Sequence, residues 1–193
     1  MKAESVAIMG GTFDPVHEGH LSLAEQAHEK FGLDRVLFVP CFQSPFKGTS
    51  YALAAQRYEM LKIAVEEKGW KWASVSKFEI SRPSPSYSWQ TAEHFREQNP
   101  DAKWHWILGT DQWDQITKWA EPEKLREQLD FLVVTRNGQA VKERPDWNFK
   151  SMEFSHPASA SAIREDFSAH TEWLSPGVRS YCLDNELYVH GHP

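Results

Sequence analysis

The sequence is short of cysteine, of long apolar runs and of positive charge, and each shortage excludes a class of protein. Two cysteines, Cys41 and Cys182, occur without C-x-x-C spacing, so neither a disulfide framework nor a cysteine-based zinc site is expected. No apolar stretch approaches the ~20 residues of a membrane span, and the first one is too short for a signal peptide. The net charge of −6 supplies no general attraction for nucleic acid. We therefore expect a soluble, cytoplasmic protein that binds neither membranes nor nucleic acid.

The composition is that of an ordinary globular protein with an excess of tryptophan. Hydrophobic residues make up 40% and charged residues 25%, and nine of the 193 residues are Trp. These proportions argue against disorder, and the length suffices for one sizeable core. Because the chain holds no internal repeat, low-complexity tract or linker, we predict a single domain over residues 1–193. The oligomeric state stays open, a homo-oligomer included.

Short apolar runs alternate with helical patterns along the chain. Five nearly continuous runs are typical of strands buried on both faces of a parallel sheet: Val6–Met9, Val36–Val39, Trp72–Val75, Trp104–Leu108 and Phe131–Val134. Helical 3–4 spacing extends from Leu21 to Phe31 and from Tyr58 to Val65, and Gly69 is a stop signal. This order predicts a Rossmann-like, doubly wound α/β sheet with a small C-terminal helical part. Ligands of such folds bind beyond the carboxyl ends of the strands.

The segment GGTFDPVHEGH, residues 10–20, follows the first of these runs and is the main candidate site. Gly10 and Gly11 allow a backbone to approach a ligand closely, and Thr12 adds a hydroxyl donor. His17 and His20 lie at the start of the next predicted helix, where free N–H groups and the helix dipole favour anions. The segment therefore has the character of a phosphate cradle, although it matches neither GxGxxG nor GxxxxGK[ST].

The same segment also has a purely structural interpretation. The glycines could simply shape a strand-to-helix turn, and one histidine by itself is most often a surface residue; the pair beside Gly-Gly-Thr favours function. A zinc site is disfavoured because H-x-x-H supplies two ligands and no Cys, Asp or Glu at suitable spacing supplies the rest. We expect no metal bound by the protein's own side chains.

A second candidate segment, residues 159–164, could also meet a phosphate. Ser159 and Ser161 are candidate helix N-caps, Ile163 begins an apolar face, and Arg164 offers a forked cation. The alternative is an ordinary Ser-capped helix with a surface arginine.

Two further residues are ambiguous by themselves. Asp111, just after Gly109 at a predicted strand end, could accept hydrogen bonds from ribose hydroxyls or merely form a turn. Trp119 could stack on a pyridine ring or be one more core tryptophan.

Taken in order, these segments resemble the nicotinate mononucleotide adenylyltransferases of the nucleotidylyltransferase superfamily. Residues 10–20 are similar to the superfamily's (H/T)xGH signature, residues 109–111 to its GxD, and residues 159–164 to its SSTxIR. Trp119 is similar to the family's substrate-stacking Trp, and the likeness covers nearly the whole chain. It implies transfer of an adenylyl group from ATP to nicotinate mononucleotide, yielding nicotinate adenine dinucleotide and pyrophosphate in NAD biosynthesis.

The resemblance also implies residue roles. ATP is expected to contact Gly10, Gly11, Thr12, Phe13, His17, His20, Gly109, Asp111, Ser159, Ser161, Ile163 and Arg164. The mononucleotide is expected to contact Thr12, Lys47, Ser86, Tyr87, Ser88, Trp119 and Arg136. Charge stabilisation during the reaction is expected from His17, His20, Lys47 and Arg164, with Mg²⁺ carried on the ATP phosphates.

The chain departs from the family pattern in three segments. Phe46 stands where the family commonly has His in PPHK, and Gln90 replaces the Asp of SYTxDT. In SSTxIR, Ala160 replaces the second Ser and Ser161 replaces the Thr, which keeps a hydroxyl. Three alternatives therefore stay open. The first is a pantetheine-phosphate adenylyltransferase, although those enzymes usually have Thr at the position of His17. The others are an adenylyltransferase that accepts both nicotinate and nicotinamide mononucleotide, and a non-catalytic nucleotide-binding module.

Overall fold

Six parallel strands form the centre of the molecule. The structure is a computed structural model that describes residues 2–45, 50–82, 84–136 and 138–189. The strands are β1 (Ser5–Gly11), β2 (Arg35–Pro40), β3 (Ala73–Val75), β4 (Lys103–Gly109), β5 (Asp130–Thr135) and β6 (Phe149–Glu153). They pair in the order β3-β2-β1-β4-β5-β6. The α/β fold class and the five predicted strands are confirmed.

The sixth strand was not predicted, and its burial explains why. β6 lies at the edge of the sheet, and of its five residues only Met152 is buried. The sequence FKSME therefore lacks the continuous apolar run of a strand covered on both faces.

Within the described residues, seven helices cover the two faces of the sheet. They are α1 (Glu18–Phe31), α2 (Ala54–Lys68), α3 (Ser88–Gln98), α4 (Thr110–Gln115), α5 (Pro122–Gln128), α6 (Ala160–Glu165) and α7 (Pro176–Asp184), with short 3₁₀ turns at Ile116–Lys118 and Ser168–Trp173. α2 ends at Gly69, whose φ of 64° is left-handed, as the predicted stop signal requires. The C-terminal helical part, α6 and α7, is confirmed.

Alternate residues along the central strands pack into two separate hydrophobic cores, one on each face of the sheet. In β1, Ala7 and Met9 join the core beneath α1, α2 and α7, whereas Val6 and Ile8 join the core on the opposite face. All four side chains are at most 5% exposed. Because both faces of the sheet are covered, the strand sequences are continuously apolar and do not alternate between apolar and polar residues.

The strand order reverses beside β1, and this reversal creates the site. The chain proceeds from β1 to β2 and β3 on one side, then returns to β4, β5 and β6 on the other. The helices following β1 and β4 therefore diverge, which opens a crevice at the carboxyl ends of these strands. The Trp106 ring packs directly against Gly10 at this crevice: a Cβ on Gly10 would lie 2.8 Å from Trp106 Cζ2. Glycine is the residue that fits at this strand end.

Candidate active site

The turn between β1 and α1 holds two histidines against each other. His17 immediately precedes α1, and its backbone N–H donates to His20 Nδ1 at 3.3 Å. The two imidazole centroids are 3.8 Å apart, and Phe13 meets the His20 ring edge-on at 5.0 Å. Phe13 itself adopts a φ of 51°, a left-handed conformation uncommon for a non-glycine residue. Packing and backbone geometry thus orient both rings before any ligand binds.

His17 is electrically neutral at pH 7 in this arrangement. Burial lowers the pKa of His17 to about 4, and the nearby charges of His156 and Arg136 act in the same direction. His17 Nδ1 is buried without a hydrogen-bond partner among the described residues. A bound polyphosphate would act in the opposite direction and raise the pKa of His17, because a nearby anion favours the charged imidazolium form. The site is therefore suited to accept negative charge.

His156 is a site residue that the sequence interpretation missed. A Cβ placed on Gly19 would lie 3.0 Å from His17 Nδ1 and 3.2 Å from His156 Nδ1, so both rings lie against the first turn of α1. The His156 Nδ1 accepts a hydrogen bond from the Ala158 backbone N–H at 3.1 Å. The sequence carries no local signal for this placement, because a single histidine in a loop after an unpredicted strand has no motif.

Arg164 joins the second candidate segment to the first. Its Nη1 donates to the Asp14 backbone oxygen at 2.6 Å, and its guanidinium lies 4.8 Å from the Tyr51 ring centroid. The Ser159 and Ser161 hydroxyls lie 2.7 Å apart at the start of α6. Ile163 is 0% exposed, so contact with a ligand would have to come from its backbone. Arg164 thus joins α6 to the β1–α1 turn, while the predicted phosphate contacts of Ser159 and Ser161 stay predictions.

Gly109 and Asp111 lie together at the end of β4. A Cβ on Gly109 would lie 2.6 Å from Asp111 Oδ1, so glycine leaves the room that this carboxylate occupies. Asp111 is solvent-exposed in the first turn of α4. It is therefore placed at the crevice, where its predicted role toward a ribose stays a prediction.

A cavity of about 110 Å³ adjoins the β1–α1 turn on the other side. It is lined by Gly10, Gly11, Thr12, Cys41, Ser44, Pro45, Glu79, Ser86, Tyr87, Ser88, Trp106, Gln112, Trp119 and Ala120. The predicted mononucleotide residues Thr12, Ser86, Tyr87, Ser88 and Trp119 therefore share one cavity. Trp119 meets Trp106 edge-on, with ring centroids 6.4 Å apart.

The cavity also contains a buried carboxyl group that sequence reasoning missed. Glu79 is 7% exposed, and Thr91 Oγ1 donates to its Oε1 at 2.6 Å. Burial raises the pKa of Glu79, and the hydrogen bonds from Thr91 and Ser86 act against that rise. Glu79 follows β3 in an irregular segment, where a lone glutamate carries no distinctive pattern.

One described residue among the predicted mononucleotide contacts does not line the cavity. Arg136 follows β5 and is not among the lining residues; its charge acts on His17, on the other side of the turn. Lys47 and Phe46 lie outside the described residues.

Within the described parts of the chain, no group of three or more His, Cys, Asp or Glu side chains could hold a metal ion. No described helix is long and apolar enough to cross a membrane.

Three comparisons bear on this geometry. The family model described as cytidylyltransferase-like matches residues 8–166. A protein of Methylacidiphilum infernorum named "Probable nicotinate-nucleotide adenylyltransferase" is 34% identical over 189 residues, covering 95% of this chain and 92% of the relative. A protein of the same name from Clostridium botulinum (strain Loch Maree / Type A3) is 36% identical over 198 residues, covering 94% and 98%.

Solved structures resemble the chain in fold. The nicotinic acid mononucleotide adenylyltransferase of Plasmodium falciparum, complexed with NaAD, superimposes with a TM-score of 0.77 at 18% identity, covering 96% of this chain and 97% of that chain. The same enzyme complexed with APC gives the same values.

Proposed function

Because the chain belongs to the nicotinate-nucleotide adenylyltransferase family of cytidylyltransferase-like proteins, we infer that it joins ATP and nicotinate mononucleotide. The products are nicotinate adenine dinucleotide and pyrophosphate. One observation carries this assignment: the turn that bears His17 and His20 is also a wall of the aromatic cavity that contains Trp119. A phosphate site and a ring-binding site thus meet at Thr12, as a reaction between two nucleotides requires.

The reaction we propose is an in-line displacement. The 5′-phosphate oxygen of the mononucleotide attacks the α-phosphorus of ATP, a new P–O bond forms, and pyrophosphate leaves with the electron pair. A phosphate oxygen is already nucleophilic at neutral pH, so neither a protein base nor a covalent intermediate is needed. Catalysis then consists of positioning the reactants and stabilising charge.

Each site residue has a defined part in this proposal. His17 and His20 donate hydrogen bonds to the transferring α-phosphate, and Thr12 contributes its hydroxyl. Arg164 and Lys47 offset the phosphate charge, Arg164 from the position where Asp14 holds it. Asp111 accepts from a ribose hydroxyl at the end of β4.

Mg²⁺ fits this site as an ion carried in by ATP. The described residues provide no cluster of three acidic, histidine or cysteine ligands, which suits a cation that keeps its water and phosphate ligands. When bound, the ion neutralises developing charge on the leaving pyrophosphate.

We further propose that the cavity prefers nicotinate over nicotinamide. No Lys or Arg lines it among the described residues, so a carboxylate would be met by neutral donors, namely backbone N–H groups and side-chain hydroxyls. α3 begins at the lining residue Ser88, and the first N–H groups of a helix favour an anion. Burial raises the pKa of Glu79, so the protein disfavours the charged form of this carboxyl group.

We place the reaction in the cytoplasm, where reducing conditions suit the two free, buried cysteines Cys41 and Cys182. The substrates we propose are small molecules, with neither a nucleic acid nor a membrane as partner.

Pyrophosphate release tests the assignment directly. Purified protein with ATP and Mg²⁺ is given nicotinate mononucleotide, nicotinamide mononucleotide or 4′-phosphopantetheine in parallel. The proposal expects release with nicotinate mononucleotide at the highest kcat/KM. Release only with phosphopantetheine would assign the other adenylyltransferase activity. Nucleotide binding without release from any acceptor would indicate a non-catalytic module.

A further inference from the structure

Arg57 of α2 is almost completely buried, yet none of its hydrogen-bond partners is charged. The residue is 1% exposed. Its Nη1 donates to the Thr12 oxygen at 2.6 Å, and its Nη2 donates to the oxygens of Cys41 at 2.7 Å and Phe42 at 2.9 Å. Its Nε donates to the Ala52 oxygen at 3.3 Å. All four acceptors are backbone carbonyls.

Arg57 therefore has no direct ion-pair partner among the residues that the structure describes: no carboxylate of theirs lies within 4.0 Å of its guanidinium nitrogens. Four carbonyl dipoles satisfy four of its five N–H donors, and the buried Asp14 carboxylate acts on the group only across Ala52, whose N–H binds Asp14 and whose oxygen binds Arg57. A buried cation in this state is unfavourable by itself and strongly favours the arrival of an anion nearby.

The location of Arg57 determines which anion it would favour. Thr12 and Cys41, whose carbonyls it holds, both line the cavity, and Thr12 belongs to the turn that carries the two histidines. The guanidinium is thus bound to the turn but is buried and does not line the cavity. Burial also raises the pKa of the Cys41 thiol, and the charge of Arg57 acts against that rise, so its field reaches the cavity wall.

We propose that Arg57 is a buried counter-charge for the substrate phosphates, acting through the Gly11–Thr12 turn without touching the ligand. It is a positioning residue with two linked effects. Its four hydrogen bonds fix the turn after β1 against residues 41–42 after β2 and against Ala52 before α2. Its charge attracts phosphate through protein of low polarity, where water screens the interaction poorly. This inference rests on the proposed function for the identity of the anion.

Binding of tripolyphosphate separates the charge of Arg57 from its structural role. Arg57→Gln removes the charge, whereas Arg57→Lys keeps it and loses the forked hydrogen bonds. Arg35→Gln is the control, because it makes the same change in net charge at the opposite end of β2, where Arg35 pairs with Glu4 at the surface. Affinity is measured by titration calorimetry at low salt, and folding by circular dichroism.

The expected losses differ among the three variants. Arg57→Gln should bind tripolyphosphate about tenfold or more weakly, the scale of two unit charges roughly 10 Å apart at an effective dielectric constant near 20. Arg57→Lys and Arg35→Gln should each bind within fivefold of wild type. A folded Arg57→Gln protein with wild-type affinity would overturn the proposal.

The lysine variant decides the matter even where the glutamine variant does not fold. Arg57→Lys losing tenfold or more, while Arg35→Gln does not, would overturn the role of Arg57 as a counter-charge, because this variant keeps the charge and loses only the hydrogen bonds. These outcomes are independent of the proposed reaction. Wild-type protein that binds tripolyphosphate normally but releases no pyrophosphate would contradict the proposed function and leave the role of Arg57 intact.

Discussion

Tyr188 and Asp14 are 174 positions apart in the chain, and the Tyr188 hydroxyl donates to Asp14 Oδ1 at 2.6 Å. The same carboxylate accepts the backbone N–H groups of Tyr51 at 2.7 Å and Ala52 at 3.0 Å. The Asp14 backbone oxygen holds Arg164. A single residue of the β1–α1 turn thus connects the segment before α2, the end of α6 and the C-terminal region.

Tyr188→Phe tests the strength of this connection. Tyr188 is 6% exposed, and the substitution leaves a buried carboxylate without one of three donors. We expect the free energy of unfolding in urea to fall by about 1–3 kcal/mol, the usual cost of an unmet buried hydrogen bond. Tyr181→Phe, on the partly exposed side of α7, is the control. Equal stability of the two variants would show that the Tyr188 hydroxyl contributes nothing.

Gly19→Ala should separate activity from stability. Alanine is the better helix former by about 1 kcal/mol, but its Cβ would displace the rings of His17 and His156, 3.0 and 3.2 Å away. We expect at least a tenfold fall in kcat, since a displacement of about 1 Å at a positioned group can cost about 100-fold. Unfolding should stay within about 1 kcal/mol of wild type. Gln26→Ala, an exposed position of the same helix, should leave kcat unchanged, and unchanged kcat in Gly19→Ala would refute the prediction.

His20→Ala should lower kcat about 100-fold or more, the usual effect of losing a preorganised donor to a transition state. The substitution is compared with His28→Ala, near the other end of α1, where the ring stacks on Trp72 and not on His17. Steady-state kinetics in both substrates provide the measurement. A His20→Ala enzyme with normal kcat and only a raised KM would assign His20 to ground-state binding.

Trp119→Ala should weaken both pyridine mononucleotides while preserving most of their ratio. Stacking depends on the ring, which nicotinate and nicotinamide share, whereas the ratio depends on donors facing the ring substituent. Wild-type protein should favour nicotinate by roughly 10- to 100-fold in kcat/KM, because an amide leaves about one buried N–H group unpaired at 1–3 kcal/mol. Competition assays with both substrates measure the ratio. Equal kcat/KM values in the wild type would indicate a dual-specificity enzyme.

Acid should destabilise the protein through its buried histidines. Burial lowers the pKa of His105 from 6.5 to about 4, and Asp130 opposes the shift only partly; the Ser5 hydroxyl lies 3.0 Å from His105 Nε2. At pH values between about 4 and 6.5, the unfolded chain therefore binds a proton at His105 that the folded chain does not bind. The contribution of His105 is complete above pH 6.5 and is lost as the pH falls toward 4, in total on the order of 3 kcal/mol.

Urea unfolding at several pH values, in wild type and His105→Asn, checks this dependence. The variant should lose less stability than wild type between pH 6.5 and 4. His94→Asn is the control, a histidine that stacks on Phe78 at the surface of α3. Parallel stability curves for wild type and His105→Asn would contradict the assigned pKa.

Much of the fold follows from the sequence because its signals are local. The runs at Val6–Met9 and Phe131–Val134 became central strands, since a strand covered on both faces must be continuously apolar. Gly69 ends α2 because a left-handed residue terminates a helix whatever surrounds it. The pairing of His17 with His20 is equally local, since their three-residue spacing on one helical turn brings the rings together.

Only the tertiary structure decided which distant residues complete the site. β6 has a single buried residue because it is an edge strand, and no pattern in five mostly exposed residues could reveal it. His156, Glu79 and Arg57 reach the site only after the sheet is assembled, because strand ends from separate parts of the chain meet at one edge of a parallel sheet. The carbonyls that surround the buried Arg57 guanidinium come mostly from residues distant in the sequence. Local sequence patterns do not predict such contacts.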